Sequence, residues 1–333
     1  MQKQIRDRYD DSILREAMRR YDVADGSIQL LGEVESYVYE FERGGSGSIL
    51  RIAHSLRRDE NLIQGEVDWI NYLSDGGVSV ARALNSEHGR LVEAIDDRQG
   101  GQFLATAFVK APGQSPWDLG WTPELYKRYG RLLASMHALA EHYEPSNPAW
   151  RRSDWDGPEM AFVANFLPAS EAVAHQKYEQ LLAHLHALPK DGASYGLIHQ
   201  DAHGGNFFVD EDGTLTLFDF DDCGYSWFAN DIAIALFYIV MDADDWPAFT
   251  REFMSHFLNG YREVRPFDRQ WLQEIPAFLK LRELVLYAVM HRDYDVQNID
   301  DWWAARFMHD RKWKIERDLP FIDFDFETLD EIS

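Results

Sequence analysis

Residues 198–222 read IHQDAHGGNFFVDEDGTLTLFDFDD. Two strand-like runs, residues 207–209 and 214–218, flank the turn Asp210-Glu211-Asp212-Gly213. Short apolar runs around an Asp- and Gly-rich turn are the mark of a β-hairpin. A hairpin sets the residue before its first strand beside the residue after its second. Asn206 and Asp219 are therefore expected together, at the end away from the turn. Asp201 stands five residues before Asn206, across Gly204-Gly205, within reach of the same point. Two carboxylates and one amide oxygen form a hard-oxygen set. Such a set suits Mg2+ shared with a phosphate, not Zn2+.

The chain before this stretch reads as an antiparallel meander. Strands are expected over residues 27–31, 36–42 and 48–53, with Gly44-Gly45-Ser46-Gly47 as a turn, and further strands over 90–95 and 102–108. Between them, residues 59–74 carry Leu62, Ile63, Val67, Trp69, Ile70 and Leu73 on one helical arc. Glu66 sits in the middle of that arc. A carboxylate aimed at a core needs a cationic partner or several donors. Arg51, flanked by Leu50 and Ile52, is the only basic residue on the preceding strand. Lys110-Ala111-Pro112-Gly113 then breaks the pattern. Downstream, Thr122-Pro123-Glu124 is a helix start, and helical spacing recurs over about 169–188, 230–241, 246–263, 269–294 and 300–318. The expected fold class is α+β. A small antiparallel-sheet lobe with an N-terminal helix and one embedded helix covers residues 1–108, and a larger, mainly helical lobe with the 198–222 stretch covers 109–333.

Composition excludes several classes. At roughly 150 residues per domain, 333 residues suggest two lobes. With 45% hydrophobic residues and 11 Trp, 15 Tyr and 20 Phe, the chain is far too apolar for disorder. The net charge of −24 argues against nucleic acid or an anionic membrane as partner, since both require a basic footprint. Cys223 is the only cysteine, so internal disulfides and Cys-based zinc sites are excluded and a cytoplasmic setting is expected. Residues 1–21 are too rich in charge for an apolar leader, and no run of about 18 apolar residues is present.

The order His199-x-Asp201-x-x-x-x-Asn206, Asp219 after a hairpin and Asp231 before Ile232-Ala233 resembles the aminoglycoside phosphotransferase and choline kinase superfamily, which shares the bilobal protein-kinase-like fold. The resemblance covers most of the chain. It implies an ATP- and Mg2+-dependent phosphotransferase acting on a hydroxyl of a small molecule. It implies that Asp201 is the catalytic aspartate at the acceptor hydroxyl, and that Asn206 and Asp219 bind metal. Arg51 falls where the family has the lysine that holds the nucleotide phosphates, and Glu66 where its helix partner lies. Ser36 would contribute to phosphate binding, the backbone from Thr106 to Phe108 would read adenine, and Asp231 would brace the catalytic loop.

Two departures stand out. Arginine replaces lysine at position 51, and the two are not interchangeable, although a guanidinium can grip phosphate bidentately. The loop Gly32-Glu33-Val34-Glu35-Ser36 has one glycine and two acids. These departures motivate a pseudokinase that binds nucleotide without turnover; the presence of Asp201, Asn206 and Asp219 speaks against it. Asp219-Phe220-Asp221-Asp222 also resembles stress-response Ser/Thr protein kinases of the superfamily. The eleven residues between Asp219 and Asp231 leave no room for a long activation segment, which favours a small acceptor. An amine-bearing alcohol, aminoglycoside-, choline- or homoserine-like, would suit the acidic chain. His199, Asp201 and His203 read as a metal-hydrolase trio lack a second His/Asp cluster. His203 reads as a bystander; Asp222 reads as part of a solvated acidic turn, and Asp221 stays open between that turn and binding of metal or of a cationic substrate.

Overall fold

The computed structural model describes residues 1–24 and 26–329. In chain order it contains α1 (Lys3–Arg6), α2 (Asp11–Arg20), β1 (Ile28–Gly32), β2 (Tyr37–Arg43), β3 (Ser46–His54), α3 (Glu60–Asp75), β4 (Ala83–Leu84), β5 (Val92–Asp96) and β6 (Gln102–Val109). Next come α4 (Pro116–Leu119), α5 (Pro123–Ala140), α6 (Phe162–Phe166), α7 (Ala172–His186), β7 (Tyr195–Ile198), β8 (Phe207–Val209), β9 (Leu215–Leu217) and β10 (Gly224–Trp227). Last are α8 (Phe228–Val240), α9 (Trp246–Arg262), α10 (Arg269–Asp293), α11 (Trp302–Met308) and α12 (Arg311–Glu316). Sheet and helices segregate, as the α+β expectation requires.

These elements form two compact units. The first holds Met1–Gln114, Tyr143–Arg152 and Phe207–Asp221; the second holds Ser115–His142, Ser153–Asn206 and the described residues from Asp222 onward. The sequence reading divides the chain once, after residue 108, whereas these units interleave. The β8–β9 hairpin joins the sheet unit because Gln114 pairs with Val209 and Val80 with Leu217.

In the first unit the sheet runs β1-β2-β3-β6-β4, with β5 also on β6, all antiparallel. Gly44 and Gly45 connect β2 to β3, and both have positive φ, 58° and 79°, as a two-residue type I′ turn requires. Ile13 and Ala17 of α2 and the capping Tyr21 share one buried cluster with Tyr39, Phe41, Leu50 and Phe103 of the sheet. Helix α3 starts where Asp59 accepts from the Leu62 N–H, and it buries Ile63, Glu66, Val67, Trp69, Ile70 and Leu73.

In the second unit α5 and α9 approach closely. A Cβ at Gly130 would strike the Phe257 carbonyl oxygen, and one at Gly260 the Lys127 carbonyl oxygen. Helix α8 is buried along nearly its whole length. Two differences from the sequence reading arise here. The single helix expected over 300–318 is two, because Asp310 adopts a left-handed φ of 54° between α11 and α12. The β7–β10 pair was not foreseen. Among the described residues no helix is long and apolar enough to cross a membrane.

Candidate active site

The first unit encloses a cavity of about 270 Å³. Leu31, Val38, Ile70, Phe108 and Phe218 form apolar walls, and Ser36, Arg51, Glu66 and Asp219 supply the polar groups. Arg51 and Glu66 meet as the helix arc predicts. Nη1 and Nη2 of Arg51 donate to Oε1 and Oε2 of Glu66, both at 2.7 Å. Arg51 is 8% and Glu66 0% exposed, so the pair is buried. Burial alone would push the guanidinium pKa down; Glu66, Asp221 and Asp219 reverse that and hold it above its ordinary value. Arg51 also lies over the Phe108 ring, 5.1 Å from its centroid.

Asp219 follows β9 with φ of 62°. A non-glycine residue in the left-handed region carries strain, a common trait of functional positions. Asp221, two residues on, is gathered by arginines. It accepts from Arg57, from Arg58 Nε at 3.2 Å, and lies 3.9 Å from Arg51 Nη1. Burial would raise its pKa, but Arg58 and Arg57 hold it well below the carboxylate range. Arg57 also donates to Glu35, tying the acid-bearing 32–36 loop to Asp221. Asp221 is thus an ion-pair centre and not a solvated turn. Thr106 is fully buried in β6, opposite Arg51 of β3 and Val92 of β5, and is not among the residues that line the cavity. The lining from that strand begins at Phe108 and continues through Ala111.

The second unit carries the loop after β7. Asp231 of α8 accepts from the backbone N–H of His199 at 3.0 Å and of Gln200 at 2.8 Å, and contacts His137 Nε2 at 3.2 Å. Gln200 is thereby held at φ of 63°. Tyr129 donates to the Ala202 carbonyl. This bracing is what presents Asp201. Asn206 Nδ2 donates to the Asp201 carbonyl at 2.8 Å and to Oδ2 at 3.1 Å. Those bonds fix which end of the Asn206 amide is nitrogen and leave its Oδ1 as the acceptor.

Two side chains flank the Asp201 carboxylate, and one of them, Arg282, escaped the sequence reading. Arg282 of α10 donates to Oδ1 of Asp201 and to the Tyr238 hydroxyl. Arg282 falls on the stripe of buried Phe278 and Leu286, four residues either side, the same cue that singled out Glu66. His203 lies 3.5 Å from Oδ2 through Nε2 and packs against the Tyr238 ring at 4.5 Å. Its Nδ1 accepts from the Gly205 N–H, which leaves the proton on Nε2. Burial would raise the Asp201 pKa; Arg282 and His203 instead lower it to about 2. Among the described residues no group of three His, Cys, Asp or Glu side chains is gathered to hold a metal, so the His199, Asp201 and His203 trio is not a ligand set.

Comparison with known proteins then places the chain. Residues 27–267 match the model of the phosphotransferase enzyme family, and the chain belongs to that family. It is a small-molecule kinase. Amicoumacin kinase of Bacillus subtilis (strain 168) is 40% identical over 328 residues, 96% of each chain. A solved amicoumacin kinase in complex with AMP-PNP, Ca2+ and Ami superposes with a TM-score of 0.94 at 37% identity, covering 99% of this chain and 100% of that one. A microcompartment-associated aminopropanol kinase follows at a TM-score of 0.74 and 27% identity, covering 92% and 97%. A spectinomycin phosphotransferase, 16% identical with a TM-score of 0.58 over 92% of this chain and 98% of that one, shares the protein-kinase-like fold.

Proposed function

We propose that this protein transfers the γ-phosphoryl group of ATP to a hydroxyl of a small, amine-bearing molecule in the cytoplasm, and that amicoumacin is such an acceptor. The observation that carries this reading is the 40% identity to an amicoumacin kinase across 96% of both chains.

The cavity of the first unit suits a nucleotide. Its apolar walls match a purine face, and its polar end offers Arg51, Ser36 and Asp219. Arg51, fixed by Glu66, faces the phosphates with a delocalised, permanently charged fork in place of the family's lysine. The Oδ1 of Asn206 and the carboxylate of Asp219 are each hard oxygen donors of the kind that suit Mg2+. When bound, Mg2+ neutralises charge on the transferring phosphoryl group.

Asp201 aligns the acceptor hydroxyl. With a pKa of about 2 it is too weak a base to strip an alcohol early, so it receives the proton late, as the new P–O bond forms. Phosphoryl transfer depends on positioning and electrostatics, and a rigid, braced carboxylate supplies the positioning. The net charge of −24 suits a cationic acceptor. The test is ADP release with ATP, Mg2+ and amicoumacin, beside a panel of amino alcohols and aminoglycosides. Acceptor-dependent release supports the reading; release from casein-type protein alone would replace it with a protein kinase.

A further inference from the structure

Asp201 has about four lone-pair directions on its two oxygens. Oδ2 faces Asn206 Nδ2 at 3.1 Å and His203 Nε2 at 3.5 Å. Oδ1 accepts from Arg282. Hydrogen bonds from Asn206 and Arg282 thus fill one direction on each oxygen and His203 stands opposite the second on Oδ2, so the remaining direction is on Oδ1, next to the guanidinium. Arg282 in turn is held by Tyr238. It donates to the Tyr238 hydroxyl and stacks over the ring at 5.1 Å from the centroid. The His203 ring packs against the same tyrosine. One aromatic ring therefore carries both cation-capable neighbours of Asp201.

We propose that Arg282, seated on Tyr238, is a positioning residue that fixes the Asp201 rotamer and leaves a single Oδ1 lone pair to receive the acceptor hydroxyl. The inference rests on Asp201 acting on that hydroxyl. Neither Arg282 nor Tyr238 touches the transferred group in this account. Both act through the carboxylate, so their effect falls on turnover and not on nucleotide binding.

The experiment compares Arg282→Ala, Arg282→Lys, Tyr238→Phe, Asp201→Asn and the Asp201→Asn/Arg282→Ala double variant, in the full chain, with ATP, Mg2+ and amicoumacin. Misplacing a reacting group by about 1 Å costs about 100-fold. Arg282→Ala therefore lowers kcat about 100-fold, with the KM for ATP unchanged. Millimolar guanidinium chloride restores part of the loss by refilling the vacated space. Arg282→Lys retains more activity than Arg282→Ala, because it keeps the charge, and Tyr238→Phe lowers kcat less than Arg282→Ala. The double variant is no slower than Asp201→Asn alone, because Arg282 has nothing left to position. Wild-type kcat in Arg282→Ala, multiplicative losses in the double variant, or loss without guanidinium rescue would overturn the proposal. Wild-type turnover in Asp201→Asn would instead overturn the assignment of Asp201, whatever the arginine variants do.

Discussion

Replacing Glu66 with leucine should destabilise the sheet unit severely, and removing its partner as well should repair much of the damage. Glu66 is 0% and Arg51 8% exposed, and two 2.7 Å hydrogen bonds join them. Glu66→Leu strands a guanidinium in a space with little water. Breaking a buried pair from one side costs about 3–5 kcal/mol, because the remaining charge keeps its desolvation penalty. At about 2–4 °C per kcal/mol for a chain of this size class, the unfolding midpoint drops by roughly 6–20 °C. Arg51→Met/Glu66→Leu removes both charges and refills the volume with apolar atoms. Such replacements of buried pairs are often neutral, so the double variant should recover at least half of the loss. The same variant should lose stabilisation by ATP with Mg2+, since no cation then faces the cavity from β3. Thermal unfolding followed by near-ultraviolet circular dichroism, with and without nucleotide, reads both effects. A double variant as unstable as Glu66→Leu would refute the buried-charge reasoning. Full nucleotide stabilisation in that variant would refute the role of Arg51.

Other consequences can be measured alongside. His54 and His137 are buried, and burial, opposed by Asp97 and Asp231 respectively, holds both below the ordinary 6.5. Below that value the unfolded chain binds protons that the fold refuses, so stability falls as pH drops from 7 to 5.5. The loss is up to about 1.4 kcal/mol per pH unit for each histidine, and urea midpoints that hold constant over this range would contradict it. Gly260→Ala forces a methyl group against the Lys127 carbonyl oxygen; an overpacked α5–α9 contact should cost about 1–3 kcal/mol in denaturant titration. Chelation with EDTA should abolish turnover and Mg2+ should restore it, whereas turnover that persists in EDTA would remove Asn206 and Asp219 from their proposed role.

Much of the arrangement was legible because a few residues broke local rules. Glu66 on an apolar helix arc demanded a cation, and Arg51 was the one on the neighbouring strand. The Asp210-Glu211-Asp212-Gly213 turn marked a hairpin, and it forms as β8 and β9. Arg282 obeyed the same rule as Glu66, but its arc lies in a 25-residue helix where Glu283 and Lys280 crowd the pattern. The strands β7 and β10 are four residues each, too short for periodicity to separate strand from helix or loop. The break at Asp310 rests on one left-handed aspartate, a choice of backbone basin that spacing does not encode. The length of β6 was readable, but which of its residues faced a cavity depended on register with β3 and β5.

The proposed transfer is tested by the mass and phosphorus-31 spectrum of amicoumacin after incubation with this protein, ATP and Mg2+. One added phosphoryl group is expected, present as a phosphate monoester on a hydroxyl, and absent with Asp201→Asn. An unmodified amicoumacin while ATP is consumed, or a phosphate found on nitrogen, would contradict it.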